Sequence, residues 1–243
     1  QCLGCPCAAT VSGDRTPGDS LPGGWVYQPH AGGLSLSDLT RVELPFGGAY
    51  IFQERRSQGV SQVAAALQAA ALEACPEEDA RVLELGSGCG IVSIMLALQR
   101  PRWQIDALEI QPKLHQLAVD NASLCGVEVA FQLADLRDFQ AERAYQLIIS
   151  NPPWRKRGSG LPSPHPSREA SRGELFCNMA DVLACVKRNL APDGAALLVY
   201  PASRERELAA TAQNTLLDII SALAVTGHKE HTIYRFFHKG KPQ

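Results

Sequence analysis

The chain has 243 residues, 45% of them apolar and 20% charged, with 20 Gly and 16 Pro. That is enough for about one or two globular domains, and it excludes a collagen, a coiled coil and a wholly disordered chain. Lys and Arg number 23 against 25 Asp and Glu, a formal balance of −2, so any nucleic-acid contact has to come from a local basic patch.

Residues 1–24 are rich in Gly, Pro, Ser and Asp, with almost no apolar periodicity, the pattern of a flexible tail. The chain opens on Gln1 rather than Met, as a fragment or trimmed chain would. It shows no charged-then-apolar leader and no run of about 20 apolar residues to span a membrane, so a cytoplasmic location is expected. Eight Cys are present, but a disulfide framework belongs to small secreted domains. Cys2, Cys5 and Cys7 form a C-x-x-C-x-C cluster without a nearby fourth ligand, the first His being His30. No metal site is expected there.

Residues 25–60 read as a small β extension. Trp25-Val26-Tyr27, Thr40 to Leu44 and Ala49 to Gln53 are strand-like, and Pro45 with Gly47-Gly48 separates the last two as a hairpin. Ser61 then caps an Ala- and Leu-rich helix to about Ala74, and residues 61–243 form the main unit. Within it, strands are expected at Val82–Leu85, Gln104–Glu109, Val127–Leu133, Tyr145–Ser150 and Ala195–Tyr200. Helices are expected at Ile91–Gln99, Pro112–Leu124, Glu174–Leu190 and Arg204–Ile220, with final strands at Leu223–Val225 and Thr232–Phe237. This alternation argues for a doubly wound α/β sheet.

Glu84-Leu85-Gly86-Ser87-Gly88-Cys89-Gly90 reads as strand, tight turn and helix start. Glycines there let a ligand approach the backbone closely. The pyridine-dinucleotide fingerprint is broken by Ile91, which stands where a third Gly or Ala is required. Glu84 suits a ligand carrying positive charge and would repel a pyrophosphate. Glu109 ends the next strand, about 20 residues on, where an acid can accept from both ribose hydroxyls. Asp135 follows the third strand and could accept from an adenine amino group. Three acids at consecutive strand ends beside one glycine loop form a site rather than a solvated surface.

These residues resemble the class I S-adenosylmethionine-dependent methyltransferases over roughly Arg81 to Phe237. The resemblance implies a Rossmann-like, seven-stranded sheet with an antiparallel last strand. It also implies S-adenosylmethionine lying over the strand ends, bound by Glu84, Gly86, Gly88, Gly90, Glu109, Asp135 and Asn151.

Ser150-Asn151-Pro152-Pro153-Trp154 follows the fourth strand directly. Two prolines fix two φ angles and make a stiff turn. A planar amino group is a poor nucleophile because its lone pair is delocalised. The Asn151 side-chain oxygen and the Pro152 carbonyl could each take one of its hydrogens, favouring a tetrahedral nitrogen aimed at a methyl sulfonium. Trp154 offers a face on which a base can stack. The cationic product sheds its proton easily, so no strong base is needed and positioning supplies the rate. The run is similar to the signature of methyltransferases acting on adenine N6, guanine N2 or glutamine amide nitrogen.

Arg155, Lys156, Arg157, Arg168 and Arg172 stand against only Glu169 in residues 151–173, a charge excess suited to RNA phosphates. This stretch resembles the bacterial adenine-N6 methyltransferases that modify valine tRNA beside the anticodon. It departs from them in carrying Trp154 after the prolines and Ser171-Arg172-Gly173-Glu174 in place of an Arg-x-x-Ala-Arg-His-Glu-like run. Gln53, Gly59 and Ser61 match that family's entry segment only in a different arrangement. The resemblance implies methyl transfer to adenine N6 of tRNA. A release-factor glutamine methyltransferase, a ribosomal RNA guanine-N2 methyltransferase and a non-enzymatic, cofactor-binding RNA chaperone are the alternatives. The Gly- and Pro-rich start is unlike the helical domain of the release-factor enzymes, and a chaperone has no need of paired acceptors.

Overall fold

A computed structural model describes residues 34–55, 62–152, 177–225 and 231–240. Within them a seven-stranded sheet is built from β3 (Arg81–Leu85), β4 (Gln104–Glu109), β5 (Ala130–Leu133), β6 (Tyr145–Ser150), β7 (Leu190–Pro201), β8 (Leu217–Ala224) and β9 (His231–His238). Before it come a hairpin of β1 (Leu39–Glu43) and β2 (Tyr50–Glu54) and the helix α1 (Gln62–Ala74). Between and after the strands lie α2 (Ile91–Gln99), α3 (Pro112–Cys125), α4 (Met179–Asn189) and α5 (Glu205–Asn214).

The strand order is β5-β4-β3-β6-β7-β9-β8. β3, β4, β5, β6 and β7 pair in parallel, while β9 is antiparallel to both β7 and β8. The chain winds outward from β3 through β4 to β5, then returns to lay β6 on the other side of β3. The reversal opens a crevice between β3 and β6 at their carboxyl ends, where open α/β sheets bind ligands.

Both faces of the sheet are covered, which explains the near-continuous apolar runs of its inner strands. Val82, Ile105, Leu147, Ile149 and Leu197 face a core shared with α1, α2 and α3. Leu83, Leu85, Leu108, Ile148 and Leu198 face the core under α4 and α5. The period-two alternation of a strand divides the residues between the two layers. Gly194 lets β7 approach β6, because a Cβ there would lie 2.8 Å from the Tyr145 carbonyl oxygen and 2.9 Å from that of Gln146.

The hairpin turns through Gly47 and Gly48, at φ 51° and 84°, a region that glycine enters without steric cost. α4 begins with a capping box: the Asn178 side chain accepts from the Asp181 N–H at 3.0 Å, and the Asp181 side chain accepts from the Asn178 N–H at 2.9 Å. Glu174, the expected start of that helix, and Ser61, the expected cap of α1, lie outside the described residues, as do Trp25-Val26-Tyr27.

Three boundaries differ from expectation. The helix expected over Arg204–Ile220 ends at Asn214, and Leu217–Ala224 is strand β8. Leu216 adopts φ 58°, which turns the chain out of the helix, and the β-branched Ile219-Ile220 pair suits the strand that follows. The third sheet strand is Ala130–Leu133 rather than Val127–Leu133, because its ladder with β4 starts only where Ala130 meets Asp106. β7 starts at Leu190 rather than at the expected Ala195, with a register shift between Tyr145 and Leu147 of β6.

Candidate active site

The loop after β3 is held from below by the end of β4. The Gly86 and Ser87 N–H groups both donate to the Leu108 carbonyl at 2.9 Å. The Gly88 N–H donates to Glu109 Oε2 at 2.8 Å, and the Gln111 N–H donates to Glu109 Oε1 at 2.9 Å. One carboxylate therefore ties the glycine loop to the start of α3; its Oε1 also accepts from the Gln111 side-chain nitrogen at 3.4 Å, while Oε2 keeps lone-pair capacity for a second donor. Gly86, Gly88 and Gly90 have φ of 72°, 57° and 82°. A Cβ at Gly86 or Gly88 would point into open space, whereas one at Gly90 would meet the Phe131 ring at 2.8 Å. The first two glycines thus leave room above the loop, and the third seats α2 against β5.

Glu84 is buried, and its carboxylate turns to the first turn of α2. It accepts from the Ser93 N–H at 3.1 Å and from the Ser93 hydroxyl. Burial pushes its pKa from 4.5 up to about 7, against the lowering effect of the Ser93 hydrogen bonds, with the Glu109 charge adding to the rise. Asp135 lies just beyond β5, clasped by Arg137, whose Nε donates to its two oxygens at 3.0 and 2.9 Å. This hydrogen bonding holds the Asp135 carboxyl below the usual range.

Asn151 and Pro152 emerge from β6 on the other side of β3. Ser150 pairs with Leu85 in register, and its hydroxyl donates to the Leu85 carbonyl at 2.7 Å, so Asn151 begins where the neighbouring strand enters Gly86. The Asn151 side-chain oxygen is buried and finds no hydrogen-bond partner among the described residues. Such atoms are rare in folded proteins. Trp154, Arg155, Lys156, Arg157, Arg168 and Arg172 lie outside the described residues, as do Cys2, Cys5 and Cys7.

Ser93 under Glu84 and Asn121 on α3, which the sequence did not single out, belong to this edge, as do Ser87 and Gln53, which it showed only as members of the glycine loop and of the entry segment, without a role. Asn121 carried one visible signal, a polar residue among the buried Leu117, Ala118 and Ala122 of α3. It accepts from the Phe52 N–H at 2.8 Å and donates to the Phe52 carbonyl and to the Cys89 carbonyl, each at 2.9 Å. One amide thus joins hairpin, helix and glycine loop.

The sheet order, the crevice and the glycine loop define the Rossmann-like fold of class I methyltransferases. M. jannaschii TYW2 in complex with AdoMet shares this fold at a TM-score of 0.56 and 16% identity, over 83% of this chain and 87% of that one. Residues 57–161 match the methyltransferase small domain. More narrowly, the chain is similar to the tRNA1(Val) (adenine(37)-N6)-methyltransferase of Aeromonas hydrophila subsp. hydrophila, 33% identical over 131 residues, which are 53% of this chain and 54% of that protein. It is also similar to the release factor glutamine methyltransferase of Koribacter versatilis, 36% identical over 87 residues, or 35% and 31% of the two chains. The chain spans about half the length of the curated adenine-N6 relatives that it matches. No described helix is long and apolar enough to cross a membrane.

Proposed function

We propose that this chain is an S-adenosylmethionine-dependent N-methyltransferase whose acceptor is an exocyclic amino nitrogen, adenine N6 in tRNA. The observation that carries the reading is the buried Asn151 oxygen without a partner, beside the glycine loop at the crevice between β3 and β6. A buried acceptor kept free is suited to a hydrogen that arrives with the substrate.

The donor fits the residues present. The open space over Gly86 and Gly88 admits it, Glu109 Oε2 has capacity for a ribose hydroxyl, and Asp135 lies beyond the next strand end for the adenine amino group. When bound, S-adenosylmethionine supplies a methyl group on a positively charged sulfur. Asn151 and the Pro152 carbonyl each take one hydrogen of the acceptor amine, drawing its lone pair out of conjugation and fixing its direction. Acceptance by these two oxygens also stabilises the positive charge that grows on the nitrogen. The methylated ammonium is acidic enough to lose its proton to water, so no buried base is required.

The Aeromonas relative and the basic run from Arg155 to Arg172 favour tRNA over protein, and such a substrate would place the enzyme in the cytoplasm. Glutamine in a release factor is the second reading, favoured by the Koribacter relative, and the same acceptor pair would serve an amide nitrogen. Incubation with labelled S-adenosylmethionine and, separately, bulk tRNA, ribosomal RNA and release factor decides the matter. Label in N6-methyladenosine of tRNA is expected. Label in guanosine or in release factor moves the assignment, and label in none of them overturns the enzymatic reading. Neutralising Arg155, Lys156 and Arg157 together should weaken RNA binding and lower its salt dependence by about 0.7 per charge removed, as read by titration at several salt concentrations.

A further inference from the structure

β2 brings a second free acceptor to the glycine loop. Asn121 holds the Phe52 backbone through both its N–H and its carbonyl, as a neighbouring strand would, and this fixes the following residue, Gln53, against the loop. The Gln53 side-chain nitrogen donates to Cys89 Sγ at 3.5 Å. Its side-chain oxygen is buried and finds no partner among the described residues, although Gln53 is only 6% exposed. Ser87 Oγ, in the loop itself, is likewise buried and unpartnered there.

The chemistry of the loop indicates which group these oxygens await. The N–H groups of Gly86 and Ser87 are bonded to the Leu108 carbonyl, that of Gly88 to Glu109, and that of Gly90 to the Ser87 carbonyl. A glycine loop with these amides engaged is a poor anion cradle. What it presents is acceptors, above the buried acid Glu84. The complementary partner is a cation bearing N–H groups, and in an adenosyl donor that is the ammonium of its amino-acid part.

We propose that Gln53, contributed by the N-terminal hairpin, is a binding residue for the methyl donor, its side-chain oxygen accepting a hydrogen from the donor's amino-acid ammonium. This rests on the donor reading given above. It makes the hairpin a wall of the donor pocket.

The test compares two ligands by calorimetry on the full chain: S-adenosylhomocysteine, which has the ammonium, and 5′-methylthioadenosine, which lacks the amino-acid part. Gln53→Ala should weaken S-adenosylhomocysteine by about tenfold to a hundredfold, as for loss of a hydrogen bond to a charged group, and change methylthioadenosine by less than about twofold. Gln53→Glu keeps an acceptor and the shape while losing the donor to Cys89 Sγ, so it should hold S-adenosylhomocysteine within about threefold of the unaltered chain. Equal weakening of both ligands by Gln53→Ala, no weakening of either, or a Gln53→Glu variant as weak as the Ala variant overturns the proposal. Failure of the unaltered chain to bind S-adenosylhomocysteine overturns the donor reading along with it.

Discussion

β3, β4 and β6 offer polar groups at both their starts and their ends, and the two sets are treated differently. Toward the starts, Asp106 accepts from the Tyr145 hydroxyl at 2.8 Å and from the Gln132 side chain at 3.2 Å, and lies 3.5 Å from the Arg81 guanidinium. That guanidinium also sits 4.6 Å from the centroid of the Tyr145 ring, and the Arg81 N–H donates to the Gln146 side chain at 2.8 Å. Burial and the Asp106 contact both push the Tyr145 hydroxyl pKa upward, so it stays a donor. At the ends, Asn151 and Ser87, with Gln53 of the neighbouring β2, each keep a buried oxygen without a partner among the described residues. The satisfied network holds the sheet together, whereas the unsatisfied set costs stability and suits the ligand proposed above.

The contrast predicts opposite phenotypes. Asn151→Ala should lower methyl transfer by about a thousandfold, on the scale of losing a positioned transition-state contact, with S-adenosylhomocysteine affinity and melting temperature nearly unchanged. Equal loss of ligand affinity would make Asn151 structural and erase the distinction. Asp106→Ala should do the reverse, costing about 2–3 kcal/mol in denaturant unfolding because three partners are stranded, while ligand affinity in the folded protein is kept. Glu109→Ala sits between the two, since this carboxylate ties the loop and is proposed to hold the donor. Its ligand affinity should fall by about 1.5–3 kcal/mol, read by calorimetry. An unchanged dissociation constant would assign Glu109 to the scaffold alone.

Glu84 predicts a pH-dependent effect. Its pKa is raised from 4.5 to about 7 in the fold, so between those values the folded chain holds a proton that the unfolded chain has released. Stability from this group is therefore full below about 4.5 and declines as pH rises toward 7, then levels off. Glu84→Gln, which still accepts from Ser93, should flatten that decline in melting curves taken across the window. A parallel pH profile in both proteins would show that another group sets the slope.

The inner strands were legible because both their faces are buried, so Gln104–Glu109 and Tyr145–Ser150 appear as bounded apolar runs at their observed limits. The glycine loop and the Asn151-Pro152 bend were legible for a related reason: their chemistry lies in consecutive residues. β8 was not, because it is an edge strand whose outer half is exposed, and Leu217-Asp218-Ile219-Ile220 fits a helical period as well as a strand. The roles of Gln53, which entered only as a member of the entry segment, and of Asn121 were hidden for a different reason. Each is an ordinary polar residue locally, and its role arises from contacts 36 and 69 positions away.

Asn121 also restricts its own replacement. Its nitrogen faces the carbonyls of Phe52 and Cys89, and its oxygen faces the Phe52 N–H. Aspartate, the same shape with a second oxygen in place of the nitrogen, would set like charge against two carbonyl dipoles. Loss of that single amide nitrogen would therefore unlatch the hairpin from α3 and slacken the glycine turn together.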